Sequence, residues 1–146
     1  MNIAIEPITP DAAGFADLRA ESEDEKFRML SRLETHWRSG ENTFSAAGEK
    51  LLGAFIDGRL VGVCGLNRDP FSQHPRAGRI RHLYVSKNYR RSGAGSALLA
   101  ALMANANAWF DVVNTHAPET AHGFYLQKGF LPVVREPRIT HRFYYR

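Results

Sequence analysis

The sequence predicts an α/β protein of α+β type: a single mixed, mostly antiparallel β-sheet of about seven strands, with helices on both faces. Three observations predict it. Strand-like and helix-like segments alternate along the chain, a pattern that stacks helices over one sheet. Two apolar runs flank Asp57-Gly58 in "KLLGAFIDGRLVGVCGLN", the dipeptide that supplies positive φ to a two-residue hairpin turn. No linker, repeat or low-complexity tract divides the 146 residues, so residues 1–146 are expected to form one domain.

The elements follow in order. Met1 to Ile8 alternates apolar residues and predicts a short strand. Thr9-Pro10-Asp11 offers an N-cap hydroxyl and a proline at the first helical position, predicting a helix to about Ala20. A second helix is expected over "ESEDEKFRMLSRLETHWRSG", where Phe27, Leu30, Leu33 and Trp37 recur at helical spacing and Gly40 ends it. The acidic run Glu21 to Glu25 then falls in its solvated first turn, where negative charge suits the helix dipole. The hairpin spans Leu51 to Leu66, and "RIRHLYV" alternates Ile80, His82 and Tyr84 against Arg81, Leu83 and Val85, predicting a strand. "SALLAALMANANAWF" predicts a helix of about 14 residues. "DVVNT" reads as a buried strand and "PETAHGFYLQKG" as a helix between Pro118 and Gly129. "FLPVV" and "ITHRFYYR" read as the last two strands.

Composition narrows the classes. Hydrophobic content of 44% and charge of 23% are those of a folded soluble protein. A net charge of +4 favours an anionic ligand. The single cysteine, Cys64, excludes an intrachain disulfide and sits in an apolar run as a buried, inert thiol. No basic-then-apolar leader and no run of roughly 18 apolar residues is present, so a cytoplasmic protein off the membrane is expected. The six histidines and one cysteine show no metal-ligand spacing, and no metal is expected. Lys87, Arg90, Arg91 and the tail "THRFYYR" could suggest nucleic-acid binding, but the tail alternates as a sheet strand does, which argues against it.

The segment "NYRRSGAGSALL", Asn88 to Leu99, places charge and bare backbone at the mouth of a helix. A helix's first turn carries unpartnered N–H groups and about half a positive charge. Gly93 and Gly95, beside the small Ser92, Ala94 and Ser96, would let an anion approach those amides, and Arg90 and Arg91 add full charges. The pattern suits a phosphate or pyrophosphate. It is neither G-x-x-x-x-G-K-[ST] nor a dinucleotide fingerprint.

This stretch resembles the acetyl-CoA pyrophosphate loop of the GNAT family of N-acetyltransferases, [RQ]-x-x-G-x-[GA] between a strand and a helix. Arg90-Arg91-Ser92-Gly93-Ala94-Gly95 matches every specified position. "AHGFYLQKGF", Ala121 to Phe130, matches the family's A-x-x-F-Y-x-x-x-G-F at the required separation. The resemblance is specific over about Ile80 to Val133 and only compatible before it. It implies a GNAT-like fold and an acetyl-CoA-dependent N-acetyltransferase. The acetyl group would pass to a primary amine of a small molecule, peptide or protein by direct attack in a ternary complex. It also implies that backbone groups of Leu83, Tyr84 and Val85 hold the pantetheine arm, and that Tyr125 is the acid that protonates the departing thiol.

The proton chemistry fits those residue types. An alkyl thiol has a pKa of about 8.5 and leaves more readily beside a donor, and a tyrosine near 10 is protonated at neutral pH. His82, whose imidazole ordinarily titrates near 6.5, borders the expected pantetheine site and is the first candidate base. His116 and Glu119 are further candidates, and a water chain is an alternative to all three. The family's asparagine three residues before the motif alanine is replaced by Pro118, for which Asn114 or Thr115 could substitute. A catalytically silent acyl-CoA-binding module is the competing reading. The acidic run hints at a cationic acceptor, and the aromatic last strand offers an edge for a homodimer.

Overall fold

The computed structural model describes residues 2–145. Met1 and Arg146, the outer ends of the first and last predicted strands, lie outside these. Seven strands form one sheet: β1 (Ile3–Pro7), β2 (Lys50–Ile56), β3 (Arg59–Arg68), β4 (Ala77–Val85), β5 (Val112–Thr115), β6 (Leu131–Pro132) and β7 (His141–Tyr144), in the order β1-β2-β3-β4-β5-β7-β6. Every neighbouring pair is antiparallel except β4 with β5. Four α-helices accompany it: α1 (Phe15–Asp24), α2 (Met29–Ser39), α3 (Ala94–Met103) and α4 (His122–Gln127). Each face of the sheet carries its own apolar layer. One joins Phe15, Leu18, Leu30 and Leu33 of α1 and α2 to Leu51, Val63 and Tyr84. The other joins Leu98, Leu99 and Leu102 of α3 and Tyr125 of α4 to Cys64, Leu66 and Ile80. Burying each large aliphatic side chain contributes about 1.5–3 kcal/mol.

The hairpin forms as expected, with Asp57 at φ 51° and Gly58 at φ 75°. Both ends of α1 differ from expectation. Thr9 to Asp11 make a turn in which Asp11 N–H donates to the Thr9 hydroxyl, and the helix starts only after Gly14, at φ 91°. It then runs through the acidic segment, and Lys26, at φ 69°, ends the register before α2 begins at Met29. Glu21 to Asp24 therefore belong to the last turns of α1, with Glu25 as its C-cap, rather than to the first turn of α2. The third helix is shorter than predicted, because Ala104 is extended and Asn105 left-handed, a conformation asparagine tolerates. It has no basic residue in its last turn; Lys50 of β2 reaches over instead, its Nζ 3.5 Å from Ala101 O and 3.4 Å from Ala104 O.

Two irregularities shape the centre of the sheet. β4 and β5 pair over three positions only, Ala77 to Arg79 against Val112 to Asn114, and the edge of β4 from Ile80 to Val85 has no strand beside it there. On its other side β4 bulges. Val63 faces Tyr84 and Gly65 faces Arg81, so Cys64 alone opposes both His82 and Leu83, with His82 at φ 62°. The extra residue breaks the predicted alternation. Ile80 packs with the α3 layer, whereas Tyr84 joins the α1–α2 layer and His82 meets Phe44 of that same layer at 6.3 Å between ring centroids.

Candidate active site

The parting of β4 from β5 opens a cleft of about 850 Å³, walled by the free edge of β4, the end of β5, α4 and the segment between α1 and α2. Arg90, Arg91 and Gly95 line it beside the loop that precedes α3, and Phe27 and Met29 line it beside α2.

At the loop, a single 3-10 turn (Lys87–Tyr89) leads from β4 into the predicted anion-binding segment. Ser92 N–H donates to Tyr89 O at 3.2 Å, and Ala94 N–H to the Ser92 hydroxyl at 3.2 Å. The amides of Arg91, Gly93, Gly95 and Ser96 have no acceptor among the described residues. Gly93 is the residue that bends the chain into α3, at φ 93°. A Cβ on it would meet only Ile3, at 3.6 Å, but the left-handed backbone at this position favours glycine whatever the space. Gly95 is the position whose Cβ would point between Val85 and Phe124, at 3.7 and 3.8 Å, into the cleft wall.

The two arginines part company. Arg90 Nε donates to Val85 O at 3.1 Å, and its two terminal nitrogens donate to the carboxylate of Glu25. Its guanidinium also lies 5.5 Å from the centre of the Tyr84 ring. These bonds tether Arg90 to α1, while its side chain stays 45% exposed and lines the cleft. Arg91, at φ 67° and exposed, has no side-chain partner among the described residues. The acidic run is engaged within the protein. Tyr84 hydroxyl lies 2.6 Å from Glu21 Oε2 and 2.5 Å from Glu25 Oε1, while Ser86 hydroxyl and Lys87 N–H donate to Glu21. Burial would raise the Glu21 carboxyl, but the hydrogen bonds from Tyr84, Lys87 and Ser86 together hold it below its usual range. The bond from Arg90 does the same for Glu25. Burial, then the two carboxylates, pushes Tyr84 well above the ordinary tyrosine range.

The proposed acid, Tyr125, and the first candidate base, His82, both line the cleft. Tyr125 is 3% exposed and borders the cleft, held by edge contacts with Phe124 and Phe130 at 5.2 and 5.1 Å. Burial raises its hydroxyl well above the ordinary value, an effect offset in part by Thr115 beside it. His82 borders the same cleft, and its Nε2 is buried without a hydrogen-bond partner among the described residues. Burial, joined by the charges of Arg81, His36 and Arg32, pushes this imidazole down to about 3. It is neutral at physiological pH, not poised near neutrality as its residue type suggests. His116 is exposed at the cleft edge, and Glu119 lies outside it. Asn114 cannot stand in for the asparagine replaced by Pro118: it is fully buried, donates to Asp69 and accepts from Arg142 at 2.6 Å. Thr115 does border the cleft. Cys64 is fully buried, and burial pushes its thiol far up, as expected of an inert residue.

A model of the acetyltransferase (GNAT) family matches residues 13–130. The chain belongs to the GNAT acetyltransferase family. Among solved structures, this GNAT chain is similar to a candidate acetyltransferase from Exiguobacterium sp. 255-15, at 29% identity and a TM-score of 0.88 over 99% of this chain and 94% of that one. It shares its fold with a GNAT acetyltransferase from Staphylococcus aureus Mu50, at 16% identity and a TM-score of 0.73 over 99% and 100% of the two chains. It shares it also with a PaiA N-acetyltransferase from Thermoplasma acidophilum solved in complex with coenzyme A, at 16% identity and a TM-score of 0.72 over 99% and 100%. A comparison with curated proteins finds no match. Among the described residues no helix is long and apolar enough to cross a membrane, and no cluster of three metal-ligating side chains occurs.

Proposed function

We propose that this GNAT chain is an acetyl-CoA:amine N-acetyltransferase that joins both substrates in the β4–β5 cleft. The observation that carries the reading is the set of unpartnered amides at Arg91, Gly93, Gly95 and Ser96, at the mouth of a cleft that Tyr125 also borders. Acetyl-CoA supplies an activated thioester acyl group and a thiol leaving group. The four amides and the Arg91 guanidinium receive its diphosphate. Ser92 and Ala94 hold the loop in shape through their own bonds, and Arg90 positions it by clasping Glu25. The free edge of β4 at Leu83, Tyr84 and Val85 offers backbone groups to the pantetheine arm, because no strand takes them up on that side.

Tyr125 is the acid. Its raised proton affinity keeps it protonated throughout the neutral range, so it delivers a proton to the thiol side of the bond that breaks. His82 presents a neutral imidazole whose buried Nε2 accepts a hydrogen bond from the attacking amine. An imidazole held down to about 3 is too weak a base to take the amine's proton, so the amine enters as the free base and loses its proton to solvent after attack. Orientation in the cleft, more than acid-base chemistry, then supplies most of the rate.

Release of free thiol from acetyl-CoA, followed across a panel of primary amines, tests this reading. Turnover with at least one amine, lost in Tyr125→Phe while acetyl-CoA still binds, is the expected result. Tight acetyl-CoA binding with no thiol release for any amine, unchanged by Tyr125→Phe, would instead establish a silent acyl-CoA-binding module.

A further inference from the structure

The acidic run of α1 hinted at a cationic acceptor, but Glu21 and Glu25 are engaged with Tyr84, Ser86, Lys87 and Arg90. The surface that meets the cleft beside α2 carries the opposite charge. A groove of about 610 Å³ runs along α2 from the turn before it, and Phe27 lines both this groove and the main cleft. Lys26, Arg28, Arg32 and His36 line it too. The side chains of Lys26, Arg28 and Arg32 are exposed and have no hydrogen bond or ion pair among the described residues. Glu23 is the groove's one carboxylate among the described residues. It accepts from the Ser31 hydroxyl at 2.7 Å and lies 3.9 Å from Arg19.

The groove adjoins His82. Met29, one residue after Arg28, lines the cleft, and its main chain lies against the His82 ring. The charges of Arg32 and His36 reach the same ring and, with Arg81, oppose its protonation. Between Arg28 and His36 the helix rises about 12 Å, the length of roughly four residues of extended chain. A segment of that length laid along α2 crosses Phe27 with its first residue at the cleft.

The same field selects among amines. Positive charge that resists a proton on His82 also resists an ammonium beside it, and no carboxylate among the described residues lines the cleft to offset this. His82 is too weak a base to take up the proton, so the acceptor has to arrive as the free base. At about pH 7.5 roughly a third of a peptide α-amine is free base, against about one in a thousand of a lysine side chain.

We infer that the acceptor is the N-terminal α-amine of an acidic peptide or protein segment, its carboxylates lying along Lys26, Arg28 and Arg32 and its amine beside His82. This rests on the N-acetyltransferase reading above.

The test compares three short peptides: alanine followed by three glutamates, alanine followed by three glutamines, and an amino-terminally blocked peptide of three glutamates and one lysine. Fluorescence anisotropy of the first two, labelled at the carboxyl terminus, reads binding to the protein with CoA and without turnover. The acidic peptide is expected to bind about tenfold tighter, with the advantage lost at high salt. Arg28→Gln combined with Arg32→Gln should abolish the advantage, and Arg28→Lys combined with Arg32→Lys should retain it. In thiol release the acidic peptide should exceed its glutamine counterpart by about tenfold in kcat/KM, carried by KM. The blocked lysine peptide should fall at least about tenfold below it.

Equal binding of the two α-amine peptides, a preference that survives the glutamine variant, or equal turnover of the blocked lysine peptide would each overturn the inference. A labelled oligothymidylate that outcompetes the acidic peptide would overturn it in favour of nucleic acid. Should the glutamine variant fail to fold, the wild-type comparison of the peptides decides alone. Thiol release with small amines only would keep the N-acetyltransferase reading and overturn this inference. No thiol release with any amine or peptide, the anisotropy preference intact, would overturn that reading and the acceptor role with it, leaving a docking groove for acidic chains.

Discussion

Glu25 grips the Arg90 guanidinium with both carboxylate oxygens, at 2.5 and 3.0 Å, and so ties the end of α1 to the loop that precedes α3. The pair is partly exposed, with side-chain exposures of 24% for Glu25 and 45% for Arg90. Its worth in stability is therefore only about 1 kcal/mol, and its larger effect falls on loop geometry. Glu25→Gln is expected to weaken acetyl-CoA binding several-fold in calorimetry while changing the melting temperature little. Unchanged affinity would release Arg90 from its positioning role.

Gly93→Ala tests the loop through backbone conformation rather than bulk. At φ 93° a Cβ imposes strain of about 1–3 kcal/mol. The relaxed loop would swing the Gly95 and Ser96 amides out of line. Thermal protection by acetyl-CoA should be lost even though Ile3, at 3.6 Å, leaves room for the methyl group. The same melting shift in mutant and wild type would show that these amides do not bind the cofactor.

Tyr125→Phe removes the hydroxyl but leaves the ring against Phe124 and Phe130. Turnover is expected to fall about 100-fold or more, in the range of a lost general acid. Acetyl-CoA affinity should stay within a factor of two or so, since no binding group is removed. Stopped thiol release with intact calorimetric binding is the signature.

The state of His82 sets a pH dependence of stability. Its folded pKa of about 3 lies below the unfolded value near 6.5. Between those values the unfolded chain binds the extra proton, so stability falls as pH drops through that window, by at most about 1.4 kcal/mol per pH unit. His141, also lowered by burial, adds to the same slope. His82→Gln should flatten the dependence of urea midpoint on pH between about 6.5 and 4, and an unchanged slope would contradict a neutral buried imidazole.

Behind the cleft, Asp69 ties three elements together. It accepts from Asn114 at 2.9 Å and from Phe71 N–H at 2.9 Å, and faces Arg79 at 3.6 Å with its own side chain fully buried. Asp69→Ala leaves the Arg79 guanidinium buried and uncompensated. The expected loss is about 3–5 kcal/mol by denaturant unfolding.

What the sequence made legible was whatever a few adjacent residues decide. Asp57-Gly58 specified its turn, Gly40 its helix end, and Gly93 the entry to α3, because each needs positive φ at one position. The motif around Tyr125 placed it against the cleft because α4 carries it there. Contacts across long chain separations were not legible. The bond of Arg90 to Glu25, 65 positions away, could not be read from the loop's own residues. The acidic run looked solvated because its partners, Tyr84, Ser86 and Lys87, lie on β4 and just after it. The bulge at His82 has no strong local signature: alternation continues through it in the sequence, and only pairing with Cys64 on β3 exposes the extra residue.

The three-position pairing of β4 with β5 leaves a narrow seam between two lobes, one built on the amino-terminal four strands and the other on β5 to β7 with α4. Main-chain bonding across that seam is scant, and side chains such as Tyr125 and Phe130, wedged into the α3 layer, do most of the joining. The carboxyl-terminal lobe should accordingly open as a unit below the global unfolding free energy, visible as a shared exchange rate for its buried amides. A molecule filling the space between the lobes would act as a staple, slowing exchange in β5 and β7 more than in the hairpin.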